Sequence, residues 1–407
     1  MPEKRSPLGL IFLTILIDMI GFGIVIPVLP VYAEGAQFHA TPFKISLILG
    51  VYSLLQLVCS PLLGRLSDRV GRKPVLTVSI LGTAIGFVIT GAANGYWMLL
   101  LGRVIDGASG GNIATGMACI ADVTTKENRS KSMGLIGAAF GIGFMIGPAL
   151  GGVLGKVSTA LPFYVAAGLA FINCALVAVR LPETLTPEAR ERALDRASIG
   201  EVFSHGRGGL ITTILASQFA SVTGFSIMTS LFALFCEKRF GYDIAHIGWL
   251  MFYVGLLGVV MQGGVLRRLL RRPIEKQLAI GGAGILAVSM FFLPGTPPSL
   301  GLLLLACAGI SIGNSFVTPT MNGLASRNSD AHTQGRVLGL LASAGSLGRF
   351  IGPLLAYQLL SFDPSASDYG RTSFYASAGI LAVAMLLIMT ISPGRADAPV
   401  PEAIPES

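Results

Sequence analysis

Arg180–Gly209, reading RLPETLTPEARERALDRASIGEVFSHGRGG, is the longest polar stretch in this 407-residue chain, and long apolar segments flank it on both sides. Six apolar runs come before it: Leu8–Pro30, Leu47–Leu63, Val75–Ala93, Trp97–Ala121, Met133–Leu154 and Leu161–Val179. Six follow: Leu210–Phe235, Ile247–Leu266, Leu278–Leu293, Leu300–Leu324, Val337–Ser361 and Ser373–Ile391. A bilayer core takes about 20 apolar residues per helix, so each run is read as one transmembrane helix. No alternating apolar/polar strands of a membrane barrel occur, and helices are then the remaining way to satisfy the backbone in lipid. The polar stretch therefore divides the chain into an N-terminal six-helix bundle (1–182), a linker (183–209), a C-terminal six-helix bundle (210–393) and a tail (394–407). Within the linker, EARERALDRAS reads either as a short amphipathic helix on the membrane surface or as a solvated tether between the halves.

Composition agrees with an all-α membrane protein. Only 12% of residues are charged and 52% are hydrophobic, whereas soluble domains carry roughly 25% charge. That argues against a disordered chain and against a soluble enzyme. The net charge of +8 raises nucleic acid as a partner until the charges are mapped. With both termini cytoplasmic and twelve alternating spans, 22 of the 29 Lys and Arg residues fall on the cytoplasmic side. This is the positive-inside pattern, so the basic excess orients the chain in a lipid bilayer rather than binding nucleic acid. Trp97 and Trp249 fall at outer helix ends, where an aromatic belt places them. The five cysteines form no CxxC pair, and no metal or cofactor is expected. Asp18 in the middle of the first run, without a small-residue cleavage pattern, marks a retained span rather than a signal peptide.

The two halves repeat each other. Gly134, Gly143, Gly147 and Pro148 share their spacing with Gly339, Gly348, Gly352 and Pro353, 205 residues on. Ser109-Gly110-Gly111-Asn112 is echoed by Ser311-Ile312-Gly313-Asn314. A duplicated six-helix unit is the signature of a transporter that binds a small molecule between two bundles. No Walker sequence is present, so ATP is not expected to drive it.

The loop after the second span reads Gly64-Arg-Leu-Ser-Asp68-Arg69-Val-Gly71-Arg72-Lys73-Pro74. Gly71 suits a positive φ at the turn, Pro74 suits a first helical turn, and Gly64 admits a neighbouring helix. Asp68 stands among four cations, with Arg69 or Arg72 as partners or a helix N-terminus of the other half. Such contacts are expected to gate one side. The alternative role for the cations is a plain positive-inside anchor. Gly143, Gly147 and Gly151 form a small-residue stripe kinked by Pro148, expected to pack closely against the other half.

These residues resemble the major facilitator superfamily. GRLSDRVGRKP looks like its inter-helix motif, and Leu101-Gly102-Arg103-Val104-Ile105-Asp106-Gly107 like its fourth-helix arginine motif. Gly134 through Gly152 resembles the fifth-helix antiporter motif, and Asp18-x2-Gly21-x-Gly23-x3-Pro27-x2-Pro30 the first-helix motif of tetracycline-type drug/proton antiporters. Asp122, closing span four, and Leu181-Pro182-Glu183-Thr184, closing span six, also fit, and Asp122 joins the expected gate. The resemblance implies a twelve-helix secondary transporter of the cell inner membrane, acting as a monomer. It would export small amphipathic compounds against protons. The rival readings are export of a native metabolite such as a sugar, siderophore or lysolipid, and a transporter-shaped sensor. Tetracycline exporters of this type usually carry further acids in spans three and nine, and here both spans have none.

Four charges lie deep in the spans: Asp18, Arg103, Asp106 and Arg349. Each costs about 2.5–3.5 kcal/mol at a helix centre, so it must face a cavity, find a partner or change protonation. The resemblance places spans one and four together beside a central cavity, which implies that Asp18 and Asp106 compete for Arg103, exchanging a proton against substrate; a static buried ion pair is the alternative. Arg349 is expected to meet an anionic or polar substrate group, or to snorkel to one surface. The other candidate substrate residues are Tyr52, Gln56, Asn112, Gln218, Phe225, Met228, Gln262, Asn314 and Asn322. For each, hydrogen bonding between helices is the competing role.

Overall fold

The computed structural model describes residues 7–35, 37–124, 126–185, 202–203, 208–270, 274–295, 299–329, 333–363 and 365–391; for 126–136 it describes the helix without side chains. The amphipathic linker helix expected at 188–198 and the tail 394–407 lie outside the described residues. Among the described residues every regular element is helical. The first half holds α1 (Leu8–Glu34), α2 (Pro42–Val70), α3 (Arg72–Gly91), α4 (Tyr96–Ala108), α5 (Asn112–Val123), α6 (Lys126–Val157) and α7 (Leu161–Arg180). The second holds α8 (Gly208–Phe240), α9 (Ile244–Val260), α10 (Glu275–Phe292), α11 (Leu300–Arg327), α12 (Gln334–Leu359) and α13 (Arg371–Thr390).

Eleven segments are long and apolar enough to cross a membrane; α9 reaches that length by running through a π-helical turn, Met261–Leu266, to Leu269. The remaining span, expected as one helix over Trp97–Ala121, is two shorter helices, α4 and α5, broken at Ser109–Gly111. Two consecutive glycines weaken the helix, each by about 1 kcal/mol relative to alanine. Gly107 and Gly111 also let α2 cross closely: a Cβ on Gly107 would stand 2.7 Å from the Tyr52 carbonyl oxygen, and one on Gly111 2.7 Å from Leu63 Cδ1. The echo in the second half has Ile312 in place of one glycine, and α11 runs through it unbroken.

Within the first half, α1 packs on α6 and α7, and α3 on α4 and α7. In the second, α8 packs on α12 and α13, and α10 on α11 and α13. The halves meet along α6 with α9, α2 with α12, and α1 with α8.

The fifth-span glycine stripe corrects one expectation. A Cβ on Gly143 would lie 2.5 Å from Met19 Cβ, and one on Gly147 2.7 Å from Gly23 Cα. The stripe thus faces α1 of its own half, not the other half. The opposite face of α6 makes the crossing between halves. There, a Cβ on Gly152 would stand 2.9 Å from Gly248 Cα, and one on Gly255 2.5 Å from Met145 Cα. A four-residue repeat keeps glycines 143, 147 and 151 on one face, while 145 and 152 turn the other way; Pro148 sits between, its ring towards Gly23 and its carbonyl towards Gly248. The pseudo-symmetry holds in detail: Cβ atoms on Gly348 and Gly352 would meet α8 at 3.0 Å from Phe219 O and 2.6 Å from Ser226 Cβ.

The kink prolines have matched consequences. Pro148 removes the donor that Phe144 would use, and the Phe144 carbonyl lies 2.7 Å from where a Cβ on Gly255 would be. Pro353 likewise frees the Arg349 carbonyl, which accepts a hydrogen bond from Ser226 Oγ at 3.4 Å.

On the side away from the Gly64–Pro74 loop, ion pairs tie the halves together: Lys238–Glu34 at 3.1 Å and Lys156–Asp243 at 3.6 Å. On the loop side, Gly64 of α2, Gly263 and Gly264 of the π-helical turn, and Gly339 of α12 face open space, with no atom within 4 Å of a notional Cβ. The helix neighbour expected at Gly64 is therefore not against it in this conformation.

Candidate functional site

The deep charges gather where α1, α2, α4, α5 and α12 converge. Asp18 sits on α1 ten residues into the helix, half-buried. The break in span four aims Asn112, the first residue of α5, at it: Asn112 Nδ2 donates to Asp18 Oδ1 at 3.0 Å. One turn before the break, Arg103 Nη1 donates to Asp106 Oδ2 at 2.6 Å, both side chains 4% exposed. The three-residue spacing on α4 makes this pair local. Tyr52 of α2 lies beneath the Arg103 guanidinium, 4.6 Å from ring centroid to Cζ, a cation–π contact. The expected competition of two aspartates for one arginine is thus resolved in this conformation: Arg103 holds Asp106, and a neutral amide holds Asp18.

Asp18, Asp106, Tyr52, Gln56 and Asn112 line one small cavity with Phe22 and Thr83, about 10 Å³, room for roughly one water. Gln56 ties the cavity to the second half. Its Nε2 donates to Tyr52 Oη at 3.3 Å and to the Gly110 carbonyl at 3.4 Å, in the span-four break. Its Oε1 accepts from Arg349 Nη2 of α12 at 3.4 Å. Gln218 of α8 lies beside Arg349, both facing the space over Gly345.

Other candidates lie elsewhere. Met228 is buried in the main apolar core, and Phe225 packs against that core. Gln262 is exposed on the π-helical turn. Asn314 accepts from Thr318 Oγ1 at 3.3 Å and Asn322 donates to the Thr318 carbonyl at 3.1 Å, both within α11. None of these joins the cavity, although Asn314 holds the position equivalent to Asn112, because α11 does not break.

The expected gate residues form a network inside the first half. Gly71 turns the chain at φ +125°, and a Cβ there would meet Glu183 Oε2 at 2.5 Å. Arg72 starts α3 and bridges two acids: Nη1 to Asp68 at 2.5 Å and Nε to Asp122 at 2.9 Å. Arg69 is exposed beside it. Glu183 accepts the Arg72 and Lys73 backbone N–H groups at 2.9 and 3.2 Å, capping the α3 N-terminus where a negative charge is favoured.

The second half carries the same tie between its third and fourth spans with the charges exchanged: Glu275, starting α10, accepts from Arg327, ending α11, at 2.8 Å. Glu275 and Ser346 stand outside the residues picked out from sequence, and Glu183 is placed there only in the motif that closes span six. For Glu275 the signal was present: it stands 203 positions after Arg72, and Arg327 stands 205 after Asp122. Opposite signs hid the correspondence, because the repeat is visible in sequence only where the residues are identical.

Known proteins resemble this chain in sequence and in fold. The chain is 31% identical over 395 residues to the tetracycline resistance protein, class C, of Escherichia coli, covering 94% of this chain and 96% of that one. It is 29% identical over 375 residues to multidrug resistance protein 1 of Bacillus subtilis (strain 168), covering 91% and 94%. The solved human organic anion transporter MFSD10 (TETRAN) superposes with a TM-score of 0.73 at 24% identity over 95% of this chain and 100% of that one. A bacterial homologue of the human lysosomal transporter Spinster, in an inward-facing and occupied conformation, superposes at 0.75 with 13% identity, covering 96% and 97%. The sequence pattern of the Major Facilitator Superfamily matches residues 11–353, and with two bundles, their repeated glycine-proline spans and relatives matched along nearly their whole length, this multi-pass membrane protein belongs to that superfamily of transporters.

Proposed function

We propose that this chain exports small amphipathic compounds from the cytoplasm in exchange for protons, by alternating access, in the cell inner membrane with both termini cytoplasmic. The proton is its only coupling ion, and the unit is a monomer. One observation carries the reading. Of the two cavity carboxylates, Asp106 is matched by the Arg103 cation, whereas Asp18 has a neutral partner, Asn112. Asp18 is therefore the carboxylate that exchanges a proton, and Arg103 and Asp106 organise its surroundings. Ion pairs on the side away from the Gly64–Pro74 loop support a conformation closed there and open towards the cation-rich side. In the opposite conformation Asp68, Arg69 and Arg72 would close the loop side, with the α6 glycine-proline segment as the pivot. The tetracycline and multidrug resistance proteins among the relatives favour a foreign compound as substrate.

The test is Asp18→Asn in proteoliposomes. The variant is expected to fold, to bind substrate and to carry out exchange at equal pH. It is expected to lose export driven by a pH gradient. Full gradient-driven export by Asp18→Asn would sink the assignment.

A further inference from the structure

We propose that the exported compound carries a carboxylate, and that Arg349 with Gln218 and Ser346 is the subsite that binds it; the proposal rests on the export reading above. Arg349 is half-buried on α12, and among the described residues no carboxylate comes within the 4.0 Å of an ion pair. Its Nη2 has neutral partners, Ser346 Oγ at 2.9 Å and Gln56 Oε1 at 3.4 Å. A cation held at membrane depth without a counter-charge is costly, and a ligand that supplies one removes that cost. The other terminal nitrogen points at Gly345, where an added methyl would make ordinary contact. Arg349 Nη1 and Gln218 Nε2 each lie 3.6 Å from the point where a Cβ on Gly345 would stand. Two donors from α12 and α8 thus converge on a gap about the size of a methyl group. Gln218 is only 9% exposed.

The planar guanidinium offers two parallel donors, the geometry a carboxylate accepts. Gln56 Oε1, reaching across from the first half, is an amide oxygen occupying the place of one carboxylate oxygen. Val222 Cγ2, 3.8 Å from the same point, and the Phe22–Tyr52 pair, 5.6 Å between centroids, supply apolar surface for the body of the ligand. Binding would displace Gln56 from Arg349. Gln56 also holds the Gly110 carbonyl in the break two residues before Asn112, so occupancy of the subsite is transmitted towards the partner of Asp18.

The test uses the purified full chain in detergent, with 2-naphthoate and 4-biphenylcarboxylate each compared with its primary amide. Equilibrium binding and thermal unfolding are both read. The carboxylates are expected to bind the wild type about ten- to a hundredfold more tightly than the amides, the discrimination of one charge-assisted pair. Arg349→Gln is expected to abolish that preference and Arg349→Lys to keep part of it. Gly345→Ala adds a methyl in ordinary contact and leaves the charge in place. It is expected to weaken carboxylate binding at least tenfold with the ligand-free unfolding temperature unchanged. Equal binding of acid and amide, binding of neither, or a preference that survives both Arg349→Gln and Gly345→Ala overturns the proposal. None of these readouts involves a pH gradient, so they fail or succeed independently of the Asp18→Asn experiment.

Discussion

Gly255→Ala is the sharpest perturbation of the contact between the halves. The added Cβ would stand 2.5 Å from Met145 Cα, 2.7 Å from the Phe144 oxygen and 2.8 Å from Met145 N. All three are backbone atoms, so no rotamer change relieves the overlap. Ordinary contact begins near 3.4 Å, so α9 and α6 must separate by several tenths of an ångström. Overpacking of this kind costs about 1–3 kcal/mol. The clash exists only while the halves meet on this side, so the cost falls on one conformation and not on the fold of either bundle. A differential of that size moves a two-state ratio by about 5- to 150-fold. The assay is pulsed electron–electron resonance between spin labels at Trp97 and Trp249, exposed near the outer ends of α4 and α9 in opposite halves, in a chain whose five native cysteines are replaced. Gly255→Ala is expected to move the population from the short distance to a longer one while the unfolding temperature stays near wild type. Gly147→Ala, which clashes inside one half, is expected to lower the unfolding temperature, unlike Gly255→Ala. Gly137→Ala, with no atom within 4 Å of its notional Cβ, is the neutral control. An unchanged distance distribution in well-folded Gly255→Ala refutes the reasoning.

Other expectations follow from the same geometry. Arg72→Met removes the cation that bridges Asp68 and Asp122, 7% and 10% exposed, and is expected to cost about 3–5 kcal/mol; Glu275→Gln opposite the 38%-exposed Arg327 is expected to cost about 1 kcal/mol or less; thermal unfolding in detergent reads both, and equal losses contradict the burial argument. Asp243 caps α9 by accepting the His246 backbone N–H at 2.9 Å, and this bond, with the His246 side chain next, lowers its pKa from 3.8 to about 2. A depressed carboxylate contributes stability above its unfolded pKa and loses it as the pH falls through the folded one. The deficit of Asp243→Ala, about 0.5–2 kcal/mol, is therefore expected to be present at pH 5 and to shrink as the pH falls from 3.8 to about 2, and a deficit undiminished across that fall contradicts it. Gln262→Ala and Asn322→Ala are expected to leave transport rates within about twofold of wild type, since neither side chain joins the cavity; loss of transport in either places substrate where this conformation does not.

Much of the fold is legible in the chain itself, for a physical reason. Lipid forbids unsatisfied backbone, so apolar runs of sufficient length become helices whatever they pack against. The runs from Leu8 to Ile391, the polar stretch at Arg180–Gly209 and the repeat at Gly134 and Gly339 are local properties of composition and spacing. The scarcity of charge also isolates Asp18, Arg103, Asp106 and Arg349, because each is costly wherever it sits in a span.

Pairing was not legible, because it depends on which helix face meets which neighbour. The stripe at Gly143 and Gly147 was identifiable as a packing surface, but only the crossing of α1 and α6 assigns it to its own half, and the opposite face, at Gly152, to the other half. Asp18 and Asp106 were identifiable as a pair of embedded acids. Only the break at Ser109–Gly111 decides that Asn112 reaches one while Arg103 serves the other. Spacing along one helix determines what shares a face; the close approach of a second helix, permitted here by glycine and set by tertiary packing, decides what that face touches.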